Sequence, residues 1–167
     1  MVDLDNILKK TITTDFDLSA ICDALGLRCW IGSRDDLHAG MLEQYNYFII
    51  NIQSRLAGNG SHWTAMYKNT RDSTKTHIVY VDSYGAQAPK DVVDACRRLR
   101  YNLYYSNGIY QSFQSQNCGF FAVLFLLKMS QGMPFQKFRK IFSDDEPKND
   151  AIVKRIITTE LIRRRKL

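Results

Sequence analysis

Phe120, Phe121, Ala122, Val123, Leu124, Phe125, Leu126 and Leu127 form an unbroken apolar run with no polar face, and a segment of that kind has to be enclosed on all sides. It is too short to cross a bilayer. Alanine and leucine, the following Lys128-Met129 and the stop at Gly132-Met133-Pro134 favour a helix over a strand. The rest of the chain must therefore wrap around a central helix. A polar loop, Gln111 to Asn117, runs into it, with Cys118 at the junction. At a helix amino end, open backbone N–H groups and the positive end of the dipole favour a thiolate, one way to bring a cysteine below its free pKa of about 8.5. Gly119 beside it is expected to let a substrate backbone approach closely. A lone cysteine is more often a buried core residue, so its partners decide the matter.

The 167 residues are expected to form one domain, 1–167, large enough for a real core. The N-terminal stretch is too polar for a signal peptide and no long apolar span occurs, so the expectation is a soluble protein that is not secreted. Cys22, Cys29, Cys96 and Cys118 lack close spacing and are expected to be reduced thiols; with three histidines they give no zinc-ligand pairing. The net charge is +6, part of it in Arg163, Arg164, Arg165 and Lys166, which invites polyanions although most charge runs are only solvated faces.

Taken in order, residues 1–16 carry a short amphipathic pattern. A helix spans 17–26, with Asp15 or Asp17 as N-cap and Gly26 as its stop. Residues 30–40 read as a charged loop. Strands are expected at 47–52, 62–67 and 77–82, the last two as an antiparallel hairpin across a polar turn at 69–75. That pairing puts His62 and Asp82 at the same sheet edge. A helix runs from Pro89 through Arg98 with Val92, Val93, Cys96 and Leu99 inward, followed by a strand over 102–110. Beyond the central helix come a helical repeat at Phe135, Phe138, Ile141 and Phe142, a polar break at 143–149 and a last amphipathic helix from Ile152 to Leu161. The expected class is α+β: a small, mostly antiparallel sheet against a central buried helix carrying a cysteine at its N-terminus, with flanking helices.

A cysteine nucleophile needs a base, an acid to orient the base and a donor for the oxyanion, and His62, Asp82 and Gln111 can fill those roles. Gly60-Ser61-His62-Trp63, Val81-Asp82-Ser83-Tyr84-Gly85, then Gln111-Ser112, Ser115 and Cys118-Gly119, resemble the adenain-like branch of cysteine proteases related to the ubiquitin-like-protein proteases. That branch includes adenovirus protease and proteases of virophages and virus-like DNA transposons. The resemblance runs from about Trp30 to Leu127, and the Gln111-to-Cys118 spacing is its most specific part.

The resemblance implies a thiol endopeptidase with His62 as general base, Asp82 as its acidic partner, Gln111 as side-chain oxyanion donor and Cys118 as nucleophile. Gln114 and Gln116 are rival donors that spacing disfavours. Trp63 would shield the site, and Gly60 and Gly119 would flank the substrate. It further implies a viral maturation protease of the virion and host-cell cytoplasm or virus factory, cutting capsid or scaffold precursors after a small residue. The chemistry requires no cofactor; DNA or a peptide are the activators to consider, and no cysteine is identified for a disulfide-linked one. The alternatives are an isopeptidase acting on ubiquitin-like modifiers, an acyltransferase, and a catalytically silent nucleic-acid-binding module.

Overall fold

The structure, a computed structural model, describes residues 3–58, 62–70 and 76–165. Five strands, β1 (Cys29–Ser33), β2 (Tyr47–Asn51), β3 (Trp63–Asn69), β4 (His77–Val81) and β5 (Asn102–Tyr105), lie in sequence order across one sheet. β2 to β3 and β3 to β4 are antiparallel, while β1 joins β2 and β5 joins β4 in parallel. The antiparallel core is as expected, and two parallel edges make the sheet evenly mixed rather than mostly antiparallel.

Alternate residues of each strand face opposite ways, and here both faces are covered. Ile49, Ala65 and Val81 point to one layer, where α5 (Cys118–Ser130) lies against the sheet. Phe48, Ile50, Met66, Ile78 and Tyr80 point to the other, against Leu42 of α3 (Ala39–Gln44) and Val92 and Cys96 of α4 (Lys90–Arg98). Eleven of the thirteen residues of α5 are buried, which accounts for its lack of a polar face. Four more helices enclose it: α1 (Leu4–Lys9), α2 (Asp15–Ala24), α6 (Phe135–Arg139) and α7 (Glu146–Arg165), the last through Val153, Ile157 and Leu161 one turn apart.

Several local expectations change. Trp30 to Ser33 is an edge strand, not part of a loop, because β2 offers it a parallel partner; a 3-10 turn at Arg34–Asp36 and α3 fill the rest of 34–44. The N-cap of α2 is Thr14 rather than Asp15 or Asp17. Thr14 accepts the Asp17 N–H at 3.2 Å while the Asp17 carboxylate accepts the Thr14 N–H at 2.9 Å, a capping box. The strand after α4 stops at Tyr105, well short of residue 110, since Ser106 N–H makes its last bond to Tyr80. The last helix begins at Glu146 inside the expected polar break, where Pro147 is tolerated in the first turn. Gly26 and Gly132 take positive φ at helix ends, as stops should. Residues 59–61, Gly60 among them, 71–75 of the polar turn, and Lys166 lie outside the described residues.

Candidate active site

Cys118 opens α5, and His62 and Asp82 sit just ahead of β3 and just past β4. Antiparallel pairing of β3 with β4 brings those two strand ends to one edge, and α5 packs beneath it. His62 Nε2 lies 2.9 Å from Asp82 Oδ1. Asp82 is in turn held by its own turn, where Oδ1 accepts the Tyr84 N–H at 2.7 Å and the Asp82 carbonyl accepts the Gly85 N–H at 2.9 Å. Gly85 has a φ of 75°, which closes that turn at little cost. With Nε2 engaged by Asp82, Nδ1 is the ring nitrogen left for the cysteine.

The sulfur is also addressed from the backbone, since the Trp63 N–H donates to Cys118 Sγ at 3.4 Å. Only 8 % of Cys118 and 8 % of His62 is exposed. Burial pulls the His62 pKa down, but the Asp82 carboxylate and the Cys118 sulfur outweigh it and lift the imidazole to about 9. Near neutral pH the ring is therefore an imidazolium, the partner that a thiolate needs. Tyr84 stacks on His62 with centroids 4.8 Å apart, and the exposed Phe113 stacks on Tyr84 at 5.2 Å, so the histidine is held on its face as well as at its edge.

Phe120 and Phe121 N–H both donate to the Asn117 carbonyl, so the N–H groups of Cys118 and Gly119 remain as the open donors of the first turn. Gln111 is brought into the same neighbourhood, but it is wholly buried and does not line the cleft. Its Nε2 donates to the Ser115 carbonyl at 2.9 Å, to Tyr84 Oη at 3.0 Å and to Ser115 Oγ at 3.1 Å, and its Oε1 accepts from Ser83 Oγ at 2.6 Å. An amide has two hydrogens for those three acceptors, so one bond must be given up before Gln111 can serve an oxyanion. Of its rivals, Gln116 lines the cleft beside Cys118 and Gln114 does not.

The cleft has a volume of about 890 Å³ and runs from Cys118 and His62 past Trp63 to Ile31, Gly32, Asn51 and Arg55. Ile12 to Asp15 also line it, a segment in which no local pattern announces a site. The Trp63 indole Nε1 donates to the Thr13 carbonyl at 3.0 Å, which stitches that segment to the strand carrying the base. The expectation for Gly119 needs correcting. A Cβ there would collide with Thr13 Oγ1 and Leu18 Cδ2, so the residue is small to let the N-terminal segment and α2 pack on α5, not to admit substrate. Tyr84 and Ser115 were visible only as parts of motifs, because nothing local announces a stacking or relay partner. Among the described residues, no cluster of His, Cys, Asp and Glu could hold a metal ion, and no helix is long and apolar enough to cross a membrane.

No protein family and no curated protein matches the sequence. Solved structures do. The ASFV pS273R protease is similar over 88% of this chain and 68% of its own, with 14% identity and a TM-score of 0.63. AvrA, determined with IP6 and CoA, is similar over 80% of this chain and 53% of its own, with 17% identity and a TM-score of 0.50. The chain thus shares the fold of these two proteins, and it spans about two thirds of the first and about half of the second.

Proposed function

We propose that the chain is a cysteine endopeptidase of the adenain-like kind, serving a virus or virus-like element by cutting capsid or scaffold precursor proteins. The observation that carries this reading is the convergence of Cys118, His62 and Asp82 at the head of an open cleft, with the Trp63 N–H on the sulfur. The thiolate attacks the scissile carbonyl carbon, and the oxyanion is met by the first-turn N–H groups, joined by Gln111 once one of its loop bonds yields. His62 gives its proton to the leaving amine and the thioester remains on Cys118. Water, deprotonated by His62, then releases the acid. The viral part of the reading is supported by the likeness to the ASFV protease, which extends only to fold.

Incubation with a fluorogenic peptide ending in Gly-Gly is expected to release the fluorophore, and Cys118→Ala is expected to abolish release while leaving the fold intact, read by circular dichroism. A Cys118→Ala protein that still cleaves would sink the assignment. An acyltransferase is the second reading, favoured by the likeness to AvrA, whose structure contains CoA. Transfer of labelled acetyl from acetyl-CoA to a protein, in the absence of peptide cleavage, would establish it. Cleavage confined to folded ubiquitin-like modifiers would favour an isopeptidase, and DNA binding without either reaction a silent module.

A further inference from the structure

Two adjacent residues of α7, far in sequence from every member of the site, close on the loop that leads to Cys118. Asn149 is wholly buried; its Nδ2 donates to the Tyr110 carbonyl at 3.1 Å and to the Ser143 carbonyl at 2.8 Å, and its Oδ1 accepts the Ser143 N–H at 3.0 Å. It holds the start of the loop. Asp150 holds the end. Its Oδ1 accepts from Ser115 Oγ at 2.6 Å and from Asn117 Nδ2 at 3.2 Å, and its Oδ2 faces the Ser112 N–H at 3.4 Å. Ser115 Oγ in turn accepts the Asn117 N–H at 3.2 Å and one hydrogen of the Gln111 amide.

We propose that Asp150 is a positioning residue, which acts through Ser115 to aim the oxyanion donors at the Cys118 sulfur. Asp150 sits against the residue that precedes Cys118, where a negative charge does nothing to favour a thiolate, so its presence asks for another reason. The reason is geometric. Asp150 accepts from three separate residues of one loop, and a charged acceptor makes the stronger kind of hydrogen bond. Asn117 immediately precedes the nucleophile and its carbonyl receives the first helical bonds, so fixing Asn117 and Ser115 fixes the direction of the Cys118 and Gly119 N–H groups. Loss of that aim leaves the thiolate intact but misplaces the donors, and small misplacements are costly in acyl transfer.

The inference rests on Cys118 being a nucleophile of the proposed kind, and its test separates the two. The rates of two reactions at Cys118 are followed by mass spectrometry of the Cys118 peptide: alkylation by iodoacetamide, which needs only the thiolate, and acylation by p-nitrophenyl acetate, in which the sulfur bonds to the carbonyl carbon, p-nitrophenolate leaves and the oxyanion donors are used. Asp150→Ala and Ser115→Ala are each expected to slow acylation roughly 10- to 100-fold and to leave alkylation within about twofold, with the double variant no worse than the poorer single one. Asp150→Asn, which keeps an acceptor oxygen for Ser115, is expected to recover most of the acylation rate. Where the native protein also cleaves peptides, the same loss appears in kcat with KM nearly unchanged. A native protein that is acylated with this pattern but cleaves no peptide sinks the endopeptidase reading and keeps the positioning role. Equal slowing of both reactions, no slowing of acylation, additive losses, or a native Cys118 that is alkylated but never acylated overturns the positioning role.

Discussion

Asp82 decides which proton His62 carries at neutral pH. Burial alone would favour the neutral ring, and it is the carboxylate at 2.9 Å, with the sulfur opposite, that raises the pKa to about 9. Because the folded value lies above the unfolded one of 6.5, this pair's contribution to stability is fully present below about pH 6.5 and is lost as pH rises through about 9. On the proposed mechanism, cleavage should fall over the same alkaline range, since the imidazolium would be the acid for the leaving amine. In Asp82→Ala burial is no longer opposed by the carboxylate, and the alkaline limb of kcat/KM is expected to move down by at least about one pH unit. An NMR titration of His62 near 6.5 in the native protein would refute the ion pair. Gln111→Ala should lower kcat roughly 10- to 1000-fold with little change in KM, because it removes both a loop bond and a transition-state donor. Gln116→Ala, altering an exposed cleft wall, should change KM more than kcat. The reverse result would reassign the donor.

At the scale of elements, α5 is where the fold and the site meet. Gly119→Ala should cost about 1–3 kcal/mol through overpacking against Thr13 and Leu18, read as a lower denaturant midpoint. An unchanged midpoint would mean that the N-terminal segment does not pack there. This helix was legible because an apolar run with no polar face has no other home, and so was the His62–Asp82 edge, because a hairpin brings those strand ends together. What was not legible depended on partners remote in sequence. β1 is short and flanked by charge, and only its pairing with β2 makes it a strand; β5 joins β4 in parallel across α4, which the strand–helix–strand order permits but does not by itself fix. The polar stretch 143–149 read as a break and concealed the first turn of α7, and with it Asn149 and its neighbour Asp150. The motif singled out Gln111, while the network that occupies its amide required the loop's folded path.

Across the whole molecule the +6 charge is less available than its count implies. Arg163 and Arg164 both pair with Glu160, at 2.7 and 3.0 Å, Arg165 reaches Asp5 at 3.3 Å, and Arg97 lies 3.6 Å from Asp94. If polyanions bind this surface, they compete with those pairs. Glu160→Gln, which releases two arginines, is then expected to tighten binding of duplex DNA and to steepen the log–log salt slope by up to about 0.9 per phosphate newly contacted. Absence of binding at about 50 mM salt would leave the charge to solubility or to an acidic polypeptide substrate. The anchoring of the Gln111–Asn117 loop by α7 also has a consequence in time. A ribosome delivers His62, Asp82 and Cys118 well before residues 149 and 150, so the emerging polypeptide holds the proposed nucleophile on a loop that has nothing to brace it. On the proposed reading competence then arrives with α7, and a copy made only as far as Cys118 is poorly armed to cut itself or its neighbours.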